Sequence, residues 1–189
     1  MPIYNLKRLT KKYATVFAVA MSFSCATQAS SDVIEHRSHQ YMENQYNILK
    51  HSFSDFTVEK VNNGLSNGLA IKIVIPNNYG FETASVELKP ETKHTLRTMG
   101  NVFRTYPETL IDIVGHTDNV GNAEYNLELG ALRASAVQQE LIRASVSPLR
   151  ITTSSKGMTQ PACDNSTESG RECNRRVELF LHLERNLEF

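Results

Sequence analysis

A buried strand followed at once by an amphipathic helix constrains this chain most. The apolar run Leu110–Val114 lies between Pro107 and Gly115, as expected of a short strand inside a sheet. Small or apolar residues then recur at the spacing of one helix face, at Gly130, Ala134, Val137 and Leu141. A helix that begins near Gly130 and packs against the sheet is therefore predicted, and this strand and helix unit indicates an α/β fold.

The flanking sequence supplies further elements of both kinds. Apolar runs and alternating patterns predict strands over Phe56–Val61, Leu69–Ile75, Arg150–Ser154 and Arg176–His182. A glycine- and asparagine-rich turn joins the first two of these strands, so a hairpin is predicted there. A helix of about 15 residues is predicted after Pro90 from the apolar residues that share one of its faces. The elements together describe an α/β sandwich with helices mainly on one face.

The first 29 residues have the features of an export signal. Residues 1–12 carry four basic side chains and no acid, and the polar-poor run that follows is too short to span a bilayer as a helix. Cleavage after Ala29 is favoured over acylation of Cys25 as a lipoprotein cysteine, because Ser22 is a poor substitute for the usual aliphatic residue at its position. Membrane contact is expected only if Cys25 is lipidated.

Removal of residues 1–29 also changes the charge of the chain. The full sequence has 20 basic and 20 acidic residues, and the signal peptide takes away four basic residues and no acidic one. The mature protein is therefore mildly acidic, which disfavours a nucleic-acid partner.

The mature chain divides into a short appendage and one domain. Residues 30–55 are polar, with apolar residues too scattered for a clear helix face, so we interpret them as a spacer, with a helix as one form that it could take. Residues 56–189 are enough for one domain with a sizeable core. Cys163 and Cys173 lie in a polar segment of this domain, and export favours a disulfide between them. A metal pair is the alternative, but no histidine lies nearby, and neither a metal nor a cofactor is predicted.

The sequence does not favour catalysis. The six histidines are dispersed and form no pair at helical ligand spacing. Residues 64–68 match the nucleophile-elbow pattern of hydrolases, but that pattern requires a following helix, whereas Leu69–Ile75 is predicted as a strand. We therefore expect a protein that is not an enzyme.

Charged and polar residues gather where the buried strand meets the next helix. Asp118 lies just past the carboxyl end of the strand, in a loop that Gly121 allows to turn, which is where open α/β sheets place ligands. The alternative roles are a turn cap for Asp118 and a helix N-cap for Asn126. In the first turn of a helix that begins near Gly130, Arg133 would oppose the helix dipole, so it is predicted to meet an anion.

Two further arginines open the last predicted strand. Because successive residues of a strand face opposite sides, only one of Arg175 and Arg176 can reach the site. Arg176 is chosen as the site residue, and Arg175 is expected on the surface.

Together these motifs resemble the OmpA-like peptidoglycan-binding domain. The resemblance covers residues 69–183. The residues that carry it, in order and at compatible spacing, are Gly115–Gly121, Tyr125–Asn126, Leu129, Arg133–Ala134, Val137, Leu141 and Asn174–Glu178. It implies a β-α-β-α-β-β mixed sheet, and a location in the periplasm or at the outer membrane of a Gram-negative envelope.

The resemblance also implies a ligand. A domain of this family would bind the stem peptide of peptidoglycan noncovalently through meso-diaminopimelate, with Asp118 at the ligand ammonium and Arg133 at its carboxylate. The positions that match the flanks of the pocket are Thr117, Asn126 and Arg176. The protein would then tether an envelope component to the cell wall, with residues 30–60 as the contact for an envelope protein. The alternative is a protein-docking subunit of an envelope motor or secretion complex that uses the same fold.

Overall fold

The secondary structure follows the predicted order and adds to it. The computed structural model describes residues 32–62, 69–82 and 85–183. The helices are α1 (residues 32–52), the single turn α2 (Asn77–Gly80), α3 (Pro90–Thr105), α4 (Ala123–Arg143) and α5 (Glu168–Asn174). The strands are β1 (Thr57–Asn62), β2 (Leu69–Pro76), β3 (Thr109–His116), β4 (Ile151–Gly157) and β5 (Arg176–Leu183), with a 3-10 turn at Pro148–Arg150.

Some predictions fall outside these ranges. The signal peptide, Cys25 and the turn at residues 63–68 lie outside the described residues. Among the helices that the structure does describe, none has both the length and the apolar composition needed to cross a membrane.

All five strands form one mixed sheet in the order β1-β2-β5-β3-β4. The pairs β1 with β2, β2 with β5 and β5 with β3 are antiparallel, whereas β3 and β4 are parallel. A parallel pair requires a long crossover connection, and α4 supplies it. The predicted α/β sandwich with a mixed sheet is confirmed, as is the antiparallel pairing of β1 and β2.

The hydrophobic core lies on the face of the sheet that the helices cover. Ile73, Leu179 and Ile113 are neighbours across three strands and are completely buried. The helical residues in the same apolar cluster include Leu96, Met99, Phe103, Ala134, Val137 and Leu141. This single core explains why the apolar stripes of α3 and α4 could be identified in the sequence.

Residues 32–52, interpreted above as a spacer, form the helix α1 and pack against the domain. Met42 and Leu49 join the hydrophobic core. The buried Gln45 accepts a hydrogen bond from the Thr109 hydroxyl at 2.9 Å, and the Tyr41 hydroxyl accepts the Glu108 N–H at 3.1 Å. The C-terminal half of α1 is therefore held to the start of β3.

The start of α4 differs from the prediction. The helix begins at Ala123, where Asn122 caps it by accepting a backbone N–H with its side chain. Gly130 therefore lies inside the helix, and Asn126 is a helical residue rather than its N-cap. The argument that Arg133 opposes the helix dipole is wrong, because Arg133 is far from the first turn.

Backbone atoms of α4 lie directly against β3 and β4. A Cβ atom on Gly115 would lie 1.9 Å from the Gly130 carbonyl oxygen, and one on Gly130 would lie 2.3 Å from Ser155 Oγ. The first distance joins a side chain to backbone and excludes any residue but glycine at position 115, whereas the second involves a hydroxyl that can rotate away. Helix and strand can approach this closely because Gly115 has no side chain.

The disulfide predicted between Cys163 and Cys173 is confirmed, with a Cα–Cα distance of 6.1 Å. It closes the segment between β4 and β5 that contains α5. The side chain of Asn174 holds this segment together. It accepts the N–H groups of Ala162 and Cys163 at 2.8 and 2.9 Å and donates to Cys163 O at 2.9 Å.

Substitution of Gly115 tests the backbone contact. Gly115→Ala should lower the free energy of unfolding by about 3 kcal/mol, because α4 must move away from the sheet to admit the methyl group. Urea denaturation measures this change. Ala131→Ser, at an exposed position of α4, is the control and should change the free energy by less than about 0.5 kcal/mol. Equal stabilities of the two variants would contradict the close packing.

Candidate functional site

The candidate site begins with the loop that joins β3 to α4. Thr117 fastens this loop to β4, because its N–H donates to Gly157 O at 2.9 Å, and its hydroxyl donates to Asp118 O at 3.0 Å. Asp118 Oδ1 accepts the Val120 N–H at 3.0 Å, which closes a turn of the kind that aspartate side chains stabilise. The backbone that carries Asp118 is therefore held on both sides.

Asn126 attaches the same loop to α4. Its Nδ2 donates to Val120 O at 2.9 Å and lies 3.8 Å from Met158 Sδ. Gly121 completes the turn with a φ of 91°, a conformation that favours glycine. Hydrogen bonds thus connect the loop to the strands at one end and to the first turns of α4 at the other.

Asp118 is buried, and its charge is paired. Its Oδ2 accepts from Arg175 Nη1 at 2.7 Å. Arg175 Nη2 also donates to Glu168 Oε1 at 2.9 Å, and Arg171 donates to the other oxygen of Glu168 at 2.7 Å. Burial alone would lower the pKa of Arg175, but its bonds to Asp118 and Glu168 outweigh burial and raise that pKa. The site carboxylate is therefore the first member of a chain of alternating charges that leads into α5.

Arg133 is the buried cation of the site. Its side chain is only 4% exposed. Within the described residues its guanidinium donates to one oxygen, Ser85 O, from Nε at 3.3 Å and Nη2 at 3.2 Å. Its Cζ lies 5.4 Å from the centroid of the Phe81 ring. In the described part of the chain this buried guanidinium has no carboxylate partner, so it is well suited to bind an anion.

Three charged groups influence one another at the site. Burial lowers the pKa of Arg133, whereas Tyr125 and Asp118 raise it and Arg175 lowers it. Asp118 and Arg175 are therefore close enough to Arg133 to act on it electrostatically. Two guanidinium groups and one carboxylate share this region, an arrangement suited to a ligand that carries both a carboxylate and an ammonium.

Arg176 lies on the opposite face of the sheet from the helices. It pairs with His116 across β5 and β3, and its Nε donates to Glu178 Oε1 at 2.7 Å. His116 Nε2 lies 3.5 Å from the other oxygen of Glu178. Burial would raise the pKa of Glu178, but its interactions with His116 and Arg176 outweigh burial and lower that pKa to about 2. Arg176 belongs to this buried cluster, and its contact with a ligand stays a prediction.

The expectation that Arg175 lies away from the site on the surface is wrong. Arg175 is the C-cap of α5, one residue before β5 begins. Because every second residue of a strand faces the same side, Arg175 lies on the side of the core residues Val177 and Leu179. This is also the side of the sheet that α4 covers. The alternation was present in the sequence and would have indicated that Arg175 faces the side of the sheet that α4 covers.

The structure therefore brings four of the five predicted site residues together at the carboxyl end of β3. These are Thr117, Asp118, Asn126 and Arg133. Arg175 joins them through Asp118. The described residues contain no group of three or more His, Cys, Asp or Glu side chains that could hold a metal ion.

The sequence of this chain is similar to those of several known proteins. A family model described as the OmpA family matches residues 80–175. The chain is 38% identical over 107 residues to the probable lipoprotein YiaD of Escherichia coli (strain K12). The aligned region covers 57% of this chain and 49% of that protein. It is 34% identical over 119 residues to the peptidoglycan-associated lipoprotein of Pseudomonas aeruginosa, covering 63% of this chain and 69% of that protein. The match thus spans only about half the length of the first relative.

Solved structures show the same fold. A MotB-like protein from Desulfovibrio vulgaris superposes with a TM-score of 0.67 at 26% identity, over 82% of this chain and 99% of that chain. The peptidoglycan-associated lipoprotein from Burkholderia pseudomallei superposes with a TM-score of 0.52 at 28% identity, over 58% of this chain and 89% of that chain.

The charge cluster behind the site predicts a pH dependence of stability. The pKa of Glu178 falls from its ordinary value of 4.5 to about 2 on folding. Its contribution is therefore fully present above pH 4.5 and is lost as the pH falls toward 2. Glu178→Gln should be less stable than the wild type at pH 6, and this difference should shrink by roughly 3 kcal/mol by pH 2.

Chemical denaturation at several pH values measures that difference. Gln139→Asn, an exposed change on α4 that involves no titrating group, supplies the baseline. A difference between Glu178→Gln and the wild type that stays constant from pH 6 to pH 2 would contradict the assignment.

Proposed function

Because the chain belongs to the OmpA family, we propose that it binds peptidoglycan noncovalently through the diaminopimelate of the stem peptide. In this way it tethers an envelope component to the cell wall. The names of two relatives, both peptidoglycan-associated lipoproteins, support a role at the wall. The ligand itself is argued from the site.

One observation carries the proposal, namely the buried Arg133 whose guanidinium donates only to Ser85 O among the described residues. A carbonyl oxygen satisfies hydrogen bonds but does not neutralise a buried charge. The distal carboxylate of diaminopimelate would do so, and it can accept two parallel N–H bonds from the planar guanidinium. Asp118, held by Val120 and Arg175, is the group for the ligand ammonium.

This pair of groups distinguishes diaminopimelate from lysine. Lysine offers an ammonium to Asp118 but lacks the distal carboxylate, so Arg133 would stay without an anionic partner. A site that leaves a buried charged group unpaired discriminates strongly against the ligand that fails to pair it.

The remaining predicted site residues take supporting roles in this proposal. Thr117 and Asn126 hold the loop that presents Asp118, because their side chains bond to its backbone. Arg176 bonds to Glu178, which also lies close to His116, and direct contact of Arg176 with the ligand stays a prediction.

A tether to the wall implies export, so we also propose a location in the periplasm or at the outer membrane of a Gram-negative envelope. The choice between cleavage after Ala29 and lipidation of Cys25 stays a prediction, as does an envelope partner at residues 30–60. Mass spectrometry of the mature N-terminus separates the two forms, because acylated Cys25 would be the first residue of one and Ser30 that of the other.

Sedimentation with purified sacculi tests the proposed binding. Asp118→Asn should reduce the bound fraction about tenfold, because it removes the charge that meets the ligand ammonium with little change of shape. Asp32→Asn, at an exposed position of α1, is the control and should bind like the wild type. If Asp118→Asn sediments as well as the control, the binding proposal fails and the protein-docking alternative gains.

Arg133→Lys tests the geometry of the carboxylate contact. It should weaken binding to diaminopimelate-type peptidoglycan by roughly tenfold, because a point charge lacks the two-pronged fork of the guanidinium. Arg104→Lys, an exposed change on α3, should have no effect. The wild type should bind lysine-type peptidoglycan poorly, and equal binding of both types would contradict the assigned ligand.

A further inference from the structure

Arg175 connects the proposed ligand site to the segment closed by the disulfide. It follows α5 directly and is the C-cap of that helix. Its guanidinium bonds to Asp118 Oδ2 at 2.7 Å and to Glu168 Oε1 at 2.9 Å. One arginine therefore joins the first turn of α5 to the carboxylate in the loop between β3 and α4.

Among the described residues, Asp118 is oriented by two different donors, one on each oxygen. The Val120 N–H fixes Oδ1 from within the loop, and Arg175 fixes Oδ2 from outside it. A carboxylate oxygen has more than one lone pair, so both oxygens keep acceptor capacity for a ligand ammonium. Without Arg175, the Val120 N–H would be the remaining donor in the described part of the chain that fixes the plane of the carboxylate.

Arg175 also balances the charge between Asp118 and Arg133. Asp118 and Arg133 attract each other electrostatically, whereas Arg175 and Arg133 repel each other. If Arg175 were removed, Arg133 would still attract Asp118, and the competing attraction of Arg175 for Asp118 would be lost. The two groups that the ligand needs would then be drawn toward each other, and each would be less available.

The position of Arg175 depends on a segment with little apolar packing. In α5 the buried residues are Gly170 and Asn174, and neither provides an apolar side chain. The segment is held by the bond between Cys163 and Cys173, by the contacts of Asn174, and by Arg171, whose guanidinium donates to Asn165 O at 2.9 Å. The backbone of Arg175 is also held, because its carbonyl oxygen accepts the Asn77 N–H at 2.9 Å. Cys173 lies only two residues before Arg175, so the disulfide limits how far that arginine can move.

We propose that Arg175 is a positioning residue that orients Asp118 for the ligand ammonium, and that the disulfide between Cys163 and Cys173 secures Arg175 in that position. The disulfide thereby contributes to ligand affinity through Arg175. This inference rests on the proposed function of the site.

Calorimetric titration with a soluble muropeptide that contains diaminopimelate tests the inference. Arg175→Gln should weaken binding about tenfold, the loss expected for one charge-assisted hydrogen bond. Arg175→Lys should recover part of this loss, because it restores the charge without the fork. Arg104→Gln is the control, since Arg104 is exposed on α3 and its guanidinium donates to Asn101 in the same helix, and it should bind like the wild type.

Two double-mutant cycles separate positioning from a general structural role. In the Asp118→Asn background, Arg175→Gln should have less than a twofold further effect, because its action passes through that carboxylate. The variant Cys163→Ser/Cys173→Ser should bind several-fold more weakly than the wild type, and adding Arg175→Gln should bring it only to the level of Arg175→Gln alone. Thermal unfolding of each variant shows that the loss of affinity occurs in folded protein.

The outcomes distinguish the inference from the proposed function. Failure of the wild type to bind the muropeptide would overturn both. If the wild type binds, Asp118→Asn does not and Arg175→Gln binds like the wild type, the function stands and the positioning role is refuted. If the effects of Arg175→Gln and the cysteine variant multiply, the disulfide does not act through Arg175. Should the cysteine variant not fold, the cycle with Asp118→Asn still decides the role of Arg175.

Discussion

The backbone contact between α4 and β3 is the constraint on which the rest of the structure depends. Gly115 permits it because it has no side chain between helix and strand. Arg133 follows Gly130 by three residues, so this contact determines where its guanidinium lies relative to the loop after β3. A carboxylate from the loop and a cation from the helix are thus brought to one end of the sheet by the packing that forms the core.

Elements whose apolar residues repeat regularly along their length could be predicted from the sequence. Elements held by polar contacts could not. The stripes of α3 and α4 and the alternation of β5 come from contact with one core. The first two turns of α4 carry no buried apolar side chain, and Tyr125 and Leu127 are exposed there, so the hydrophobic pattern placed the helix start too late. The N-cap residue Asn122 was the available signal. Helix α5 has no apolar stripe at all.

The positions of the candidate site residues could be predicted from the sequence where they follow from the fold, whereas their side-chain partners could not. The loop position of Asp118 follows from the end of a strand, which the sequence shows. Arg133 was singled out for a reason that the structure corrects, yet its burial provides a better one. The two arginines Arg175 and Arg176 lie on opposite sides of the sheet. Their sides could have been distinguished by asking which of them alternates in step with the core residues of β5.

The position of β5 has a consequence for the order of assembly. This last strand lies between β2 and β3, so the hairpin of β1 and β2 is not joined to β3 and β4 until the C-terminal residues are available. Contacts between such distant parts of a chain form late and slowly. The sheet formed by the described strands therefore stays incomplete until β5 is inserted, and Arg175, which bonds to Asp118, directly precedes β5. The same insertion therefore completes the sheet and places Arg175 beside Asp118.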